Sequence, residues 1–234
     1  MNILAIDTSG PVCGTAVRTD AGIRASSMVL NQRTHSVNLM PMVDTVLQAA
    51  GLTLAEMDRL AVVVGPGSFT GVRLGVSTVK GLAHGAGKPC VAVNALEAMA
   101  LGVGVFPGLI CPVQDARAGQ VYAALFRSGE TRPVRLWKDE PLKVEVLAAR
   151  LRELGEPVLF AGDGMPVQRE KLRALLGSQA VFAQAPFAFL RPEAVAELAA
   201  RTEETVDYLT LMPLYLRAPS AERNRRLMEA AHEQ

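Results

Sequence analysis

Residues 3–10 read Ile3-Leu4-Ala5-Ile6-Asp7-Thr8-Ser9-Gly10: four apolar residues, one acid, then a turn cluster. A run this short, ended by an acid and without a basic leader, predicts a buried strand and no signal peptide. Val12–Arg18 and Ile23–Leu30 come next as two strands joined by Asp20-Ala21-Gly22, a hairpin signal. The arrangement recurs in the second half. Leu109–Val113 is apolar, Asp115 stands at its end, and Ala116-Arg117-Ala118-Gly119 makes the turn. Val121–Arg127 is then a strand, with a turn at Ser128-Gly129-Glu130 and a short strand near Val134–Leu136.

The elements after each hairpin also repeat. In the first half a helix runs from Thr34 to Ala50 and is closed by Gly51, with Leu39, Val43, Val46, Leu47 and Ala50 at helical spacing. Leu60–Val64 is wholly apolar, as in a strand buried on both faces. A helix over Phe69–Ala86, a strand at Cys90–Val93 and a helix at Ala95–Leu101 complete it. In the second half the helix is Val144–Leu154, the strand Val158–Ala161, and the helices Pro166–Leu176 and Pro192–Arg201. This order predicts an α/β architecture of two lobes, each with an antiparallel hairpin feeding a mixed sheet. One irregular α+β domain is the alternative. The expected boundaries are an N-terminal lobe at 1–105, a C-terminal lobe at 106–220 and a basic tail at 221–234.

Composition narrows the function. The 234 residues carry 24 Lys+Arg against 23 Asp+Glu, a net charge of +1, so there is no strong field for a nucleic-acid backbone. Half of the residues are hydrophobic, which excludes disorder. Three cysteines, Cys13, Cys90 and Cys111, are too few and too odd for a disulfide scaffold. The longest uncharged stretch, Ala98 to Gln114, is broken by Gly102, Gly104, Pro107, Gly108 and Pro112, and no membrane span is expected. A cytoplasmic protein is the expectation.

No residue pattern makes a complete catalytic site. Gly65-Pro66-Gly67-Ser68-Phe69-Thr70-Gly71 joins a strand to a helix, where backbone N–H groups can hold an anion. It lacks the Walker lysine and the dinucleotide register, and a tight turn with Ser68 as N-cap accounts for it. His35 is followed four residues later by Leu39, so the second ligand of a helical metal pair is missing. Ser9, Ser68 and the cysteines have no evident base, and no nucleophile elbow is present. Asp7 and Asp115, each ending a core strand, suit either a metal or water in a phosphotransferase or a turn. Arg217, Arg223, Arg225 and Arg226 form a small basic cluster at the C-terminus, read either as an RNA contact or as a solvated terminus.

Two helices carry more than one core needs. The helix at 69–86 contains Gly71, Gly75, Gly81 and Gly85, each costing about 1 kcal/mol relative to alanine inside a helix. Close approach of another helix would explain them. On the first helix, Val37, Met40 and Met42 lie off the apolar stripe. These features suggest a helix–helix subunit interface, with a wholly intramolecular core as the alternative.

The stretches "ILAIDTSG", "THSVNLMPMV", "GPGSFTGVRLGVSTVKGLA", "DARAGQVYAALF" and "PLYLRAP" together resemble the TsaB (YeaZ) family, over nearly the whole chain from Ile3 to about Pro219. The resemblance implies the two-lobed actin-like ATPase fold, a duplicated ribonuclease H-like fold. It implies a non-catalytic subunit of tRNA threonylcarbamoyladenosine biosynthesis that supports a TsaD-like catalytic subunit, joined by a TsaE-like ATPase. The complex transfers threonylcarbamoyl to the adenosine beside the anticodon. TsaD holds a metal through a histidine pair on its first helix; here His35 matches one histidine and Leu39 replaces the other. The resemblance therefore implies no catalytic, cofactor or metal residue in this chain, any nucleotide being bound only in the complex. It places a partner interface at His35, Leu39, Met42 and Val43 on the first helix and at Val72, Gly75, Val76 and Val79 on the second. It further implies a homodimer as an alternative assembly, indirect contact with tRNA and no membrane. An ATPase or phosphotransferase of the same fold, or a glycoprotease-like peptidase, is the competing expectation.

Overall fold

The computed structural model describes residues 1–31 and 33–217. In chain order the first half forms β1 (Ile3–Asp7), β2 (Cys13–Thr19), β3 (Gly22–Val29), α1 (His35–Ala50), β4 (Arg59–Gly65), α2 (Phe69–Ala86), β5 (Cys90–Asn94) and α3 (Ala95–Gly102). The second half forms β6 (Leu109–Asp115), β7 (Gln120–Arg127), β8 (Val134–Lys143), α4 (Val144–Leu154), β9 (Val158–Ala161), α5 (Met165–Leu176), β10 (Ala180–Phe182) and α6 (Pro192–Ala200). The first sheet has the order β3-β2-β1-β4-β5 and the second β8-β7-β6-β9-β10. In both, the first three strands are antiparallel and the last two run parallel to the first. The duplication is thus one of topology: two copies of a ribonuclease H-like sheet in a two-lobed, actin-like arrangement.

Period-two alternation puts different side chains on the two faces of each sheet. On the first, Leu4, Ile6, Leu60 and Val62 face α1 and α2, which cover one side. Ile3, Ala5, Ala61 and Val63 face the other way, into a core completed by Ala95, Ala98 and Met99 of α3 and by Val195, Ala196 and Ala199 of α6. The second sheet is covered on its outer side by α4 and α5, through Leu147, Leu151, Met165 and Leu172. Its inner side packs Ile110, Ala124 and Phe126 against Leu96 and Ala100 of α3. The third helix of each half therefore lies between the sheets. A Cβ at Gly14 would stand 3.2 Å from the Pro192 ring, and one at Gly102 3.2 Å from the Ala194 Cβ, so α6 seats closely on both β2 and α3.

The chain then stays with the first lobe. Cys90 and Val206 exchange backbone hydrogen bonds, Leu214 N–H donates to the Val64 carbonyl, and Leu211 is buried in the core under α1 and α2. α6 and residues 202–217, within the expected C-terminal lobe at 106–220, cover lobe-one surface, because α3 covers only part of that sheet's second apolar face. The expected 221–234 tail, with Arg223, Arg225 and Arg226, lies outside the described residues; Arg217 lies inside and donates to the Ala116 carbonyl at 2.9 Å. Among the described residues no helix is long and apolar enough to cross a membrane.

Candidate partner interface and interlobe cleft

α1 and α2 pack side by side on the outer face of the first sheet, and the structure divides each into an inner and an outer side. On α1, Leu39, Met42, Val43, Val46 and Leu47 are buried, while Val37 is 55% and Met40 42% exposed, beside exposed Pro41 and Asp44. On α2, Gly71, Val72, Gly75, Val76, Val79 and Ala83 are buried. Ser77, Gly81 and Gly85 are exposed, and Leu74 and Leu82 half-buried. Seven of the eight residues expected at a partner interface, namely Leu39, Met42, Val43, Val72, Gly75, Val76 and Val79, are thus sealed in the chain's own core. The reason is geometric: the most regular apolar stripe of an amphipathic helix faces the sheet beneath it. The outward residues are Val37 and Met40, whereas Met42, expected off that stripe with them, is buried. The eighth residue, His35, is half-buried, and its Nε2–H donates to the Gly10 carbonyl at 2.9 Å.

The four helix glycines also divide. A Cβ at Gly71 would collide with the Thr8 carbonyl oxygen, and one at Gly75 would stand 2.5 Å from Thr8 Oγ1. These two admit the β1–β2 turn of the same chain, which corrects the expectation that a second helix approaches them. Gly81 and Gly85 have no atom within 4 Å of where a Cβ would be, and they open outward.

The Gly65–Gly71 loop is shaped by the same turn. Ser68 N–H donates to the Ser9 carbonyl at 2.7 Å, and the Ser68 hydroxyl caps α2 by accepting from Gly71 N–H at 3.3 Å. This loop is one wall of a cleft of about 650 Å³ between the lobes. The opposite wall is the β6–β7 turn, where Arg117, Ala118 and Gly119 all adopt positive φ. Tyr215 closes one end: its ring lies 4.9 Å from Phe69, and its hydroxyl accepts from Arg73 Nε at 2.8 Å.

Asp115 and Asp163 line this cleft, and Asp7 lies buried behind it, three acids in different environments. Asp7 is 1% exposed and accepts from Ser9 N–H at 2.8 Å; burial pushes its carboxyl up to about 6, against the Ser9 hydrogen bonds and the His35 charge. Asp163 is also pushed up to about 6, chiefly by burial and further by the charges of Asp115 and Asp7. Asp115, expected to mirror Asp7, is exposed and bonds its own turn through Arg117 N–H. Asp163, which accepts from Asp115 N–H at 3.3 Å, occupies the inner position instead. The sequence reading missed Asp163, although Gly162-Asp163-Gly164 repeats the signal of an acid in a turn at a strand end. All three cysteines are buried with their thiols pushed up by burial, Cys13 to about 11.

The chain is similar to known proteins over nearly its whole length. The TsaB protein of Bacillus subtilis (strain 168), a tRNA threonylcarbamoyladenosine biosynthesis protein, is 34% identical over 222 residues, covering 95% of this chain and 96% of that protein. The chain belongs to the TsaB family. TsaB of Escherichia coli (strain K12) is 36% identical over 170 residues, 70% of this chain and 72% of its own length. The family model described as TsaD, tRNA N6-adenosine threonylcarbamoyltransferase, matches residues 27–231, so this TsaB-family chain is also related to the transferase. YeaZ from Pseudomonas aeruginosa superposes with a TM-score of 0.76 at 28% identity, over 92% of this chain and 99% of that one.

Proposed function

We propose that the chain is a non-catalytic subunit in tRNA threonylcarbamoyladenosine biosynthesis. It binds a TsaD-like catalytic subunit and supports transfer of threonylcarbamoyl to the adenosine beside the anticodon. The observation that carries this reading is the likeness to TsaB over nearly the full length of both proteins. The arrangement around His35 supports the non-catalytic part: its Nε2 is engaged by Gly10, and buried Leu39 offers no ligand atom one turn on.

The contact is assigned to the outward sides of α1 and α2, through Val37, Met40 and Pro41 on one and Leu74, Gly81 and Gly85 on the other. A TsaD-like chain is the occupant. This chain matches the TsaD model over 27–231, so two related folds would pair like helices with like, and Gly81 and Gly85 would let a backbone approach closely. A TsaE-like ATPase joins the assembled pair. The near-neutral charge supports tRNA being held mainly by the complex. Purified alone, the chain is expected to transfer no threonylcarbamoyl, and mixing it with TsaD-like and TsaE-like partners is expected to restore transfer. Full activity of the partners without it removes the reading, and a homodimer that excludes the TsaD-like chain removes the assigned occupant.

One observation favours a second reading, an ATPase of the same fold: the cleft between the lobes. Calorimetry with magnesium-ATP on the isolated chain separates the two, since tight binding there supports the ATPase and binding only in the complex supports the subunit.

A further inference from the structure

Outside the cleft, a cluster of charged side chains joins the lobes: Glu97 in the first turn of α3, Arg132 just before β8, and Arg135 and Asp139 on β8. Arg132 donates to Glu97 Oε1 through Nη2 at 2.7 Å and through Nε at 3.2 Å. Arg135 lies between two acids, pairing with Glu97 Oε2 at 3.6 Å and with Asp139. Asn94 ties the cluster to the helix: its Oδ1 accepts Glu97 N–H at 2.9 Å, capping α3, and its amide donates to Asp139. Arg201, just past the end of α6, donates to the Thr131 carbonyl. The Asp139 side chain is 9% exposed and that of Glu97 17%. The two arginines balance the two acids, so the set carries no net charge.

Asn94, Glu97 and Arg201 belong to lobe one with α3 and α6, and Thr131 to Asp139 belong to lobe two. The cluster borders the apolar layer between them. The Arg135 guanidinium stands 4.5 Å from the centre of the Phe126 ring, whose neighbours in that layer are Leu96, Ala100, Ile110 and Ala124. Apolar burial is non-directional, so a thin layer holding two alanines leaves the lobes free to rock against each other. Charge-assisted hydrogen bonds are directional and fix an angle as well as a distance. Exposed ion pairs contribute little singly, but here the acids are largely shielded and every partner is shared. We propose that Asn94, Glu97, Arg132, Arg135 and Asp139 form an interlobe clasp that sets the angle between the lobes and holds the cleft at its observed width. Glu97 is its centre, since it pairs with both arginines. The clasp makes the lobes one rigid body where a hinge would open and close, and the inference does not depend on partner binding.

Spin labels on the full-length chain test the clasp. The three native cysteines are buried, so labels go to Gln48→Cys on α1 and Val167→Cys on α5, exposed positions on opposite lobes. Double electron–electron resonance is expected to give one narrow interlobe distance in this labelled parent. Glu97→Gln combined with Asp139→Asn is expected to widen that distribution about twofold or more, as lobe angles otherwise suppressed become populated. Arg127→Gln breaks the exposed Arg127–Glu156 pair inside lobe two and should leave the width unchanged. Arg132→Gln removes a partly exposed member and spares Asp139, so it decides the matter if the acid variant fails to fold by circular dichroism. An unchanged width in the folded acid variant, or in Arg132→Gln where that variant unfolds, overturns the proposal. So does a parent distribution as broad as the variant's, or equal broadening from Arg127→Gln.

Discussion

Thr8 Oγ1–H donates to the carbonyl of Gly71 at 2.7 Å, a bond between the first turn of the chain and the first turn of α2. It is buried, and it exists because Gly71 and Gly75 leave room for Thr8. The four glycines of α2 should therefore respond oppositely to alanine. Gly75→Ala places a methyl 2.5 Å from Thr8 Oγ1 and should cost about 1–3 kcal/mol by urea denaturation. Gly81→Ala and Gly85→Ala meet open space and should each stabilise the isolated chain by about 0.5–1 kcal/mol. If they also weaken binding of the TsaD-like partner, their openness serves the interface.

Charge placed on the two sides of the helix pair should separate folding from docking. Met40→Glu, on the outer side, should leave the melting temperature nearly unchanged and abolish capture of the TsaD-like chain in a pull-down. Val76→Glu, with a side chain 3% exposed in the core, should instead unfold the chain, since an unpaired buried charge costs several kcal/mol. A well-folded Val76→Glu variant would contradict the burial of that side chain.

The Asp7 carboxyl predicts a pH dependence of stability with a definite sign. Its folded value of about 6 lies above the ordinary 3.8, so the native state holds this proton more tightly than the unfolded chain. The resulting stabilisation is complete below about pH 4 and lost as pH rises through 6; for this one group it amounts to roughly 3 kcal/mol. Denaturation midpoints should fall between about pH 4 and 6, and Asp7→Asn should flatten that slope. An unchanged slope in the variant would show that other groups set it.

Leu211 tests the assignment of the late segment to the first lobe. It is 1% exposed and lies in the core with Val72 and Val76. Leu211→Ala should cost about 2–5 kcal/mol and increase proteolysis around α2, not only near the C-terminus. A loss below about 1 kcal/mol would mean that residues 202–217 contribute little there.

Most of the framework was legible because its signals are local. The α4 helix at Val144–Leu154 and the β9 strand at Val158–Ala161 fall where the apolar periodicity puts them, and α2 opens at the Ser68 cap. β8 extends to Lys143, past the expected Leu136, because its charged residues are held by pairing with β7 and not by an apolar pattern. β10 has only three residues, too few to show a period. The candidate interface was less legible for a physical reason. Periodicity reveals that a helix has an apolar stripe but not which neighbour covers it, and the strongest stripe went to the sheet. Asp163 escaped because its role depends on two lobes meeting, which no spacing along the chain encodes.

The position of α6 has a consequence for biosynthesis. The inner surface of the first sheet is covered partly by α3 and partly by α6, which begins only at Pro192, so the N-terminal half emerges from the ribosome with that surface half covered. Until α6 arrives, the nascent chain carries a sticky, partly open platform of the kind that recruits chaperones or drives misassociation. Genetic truncation that stops short of residue 192 should thus damage the oldest-made part of the molecule.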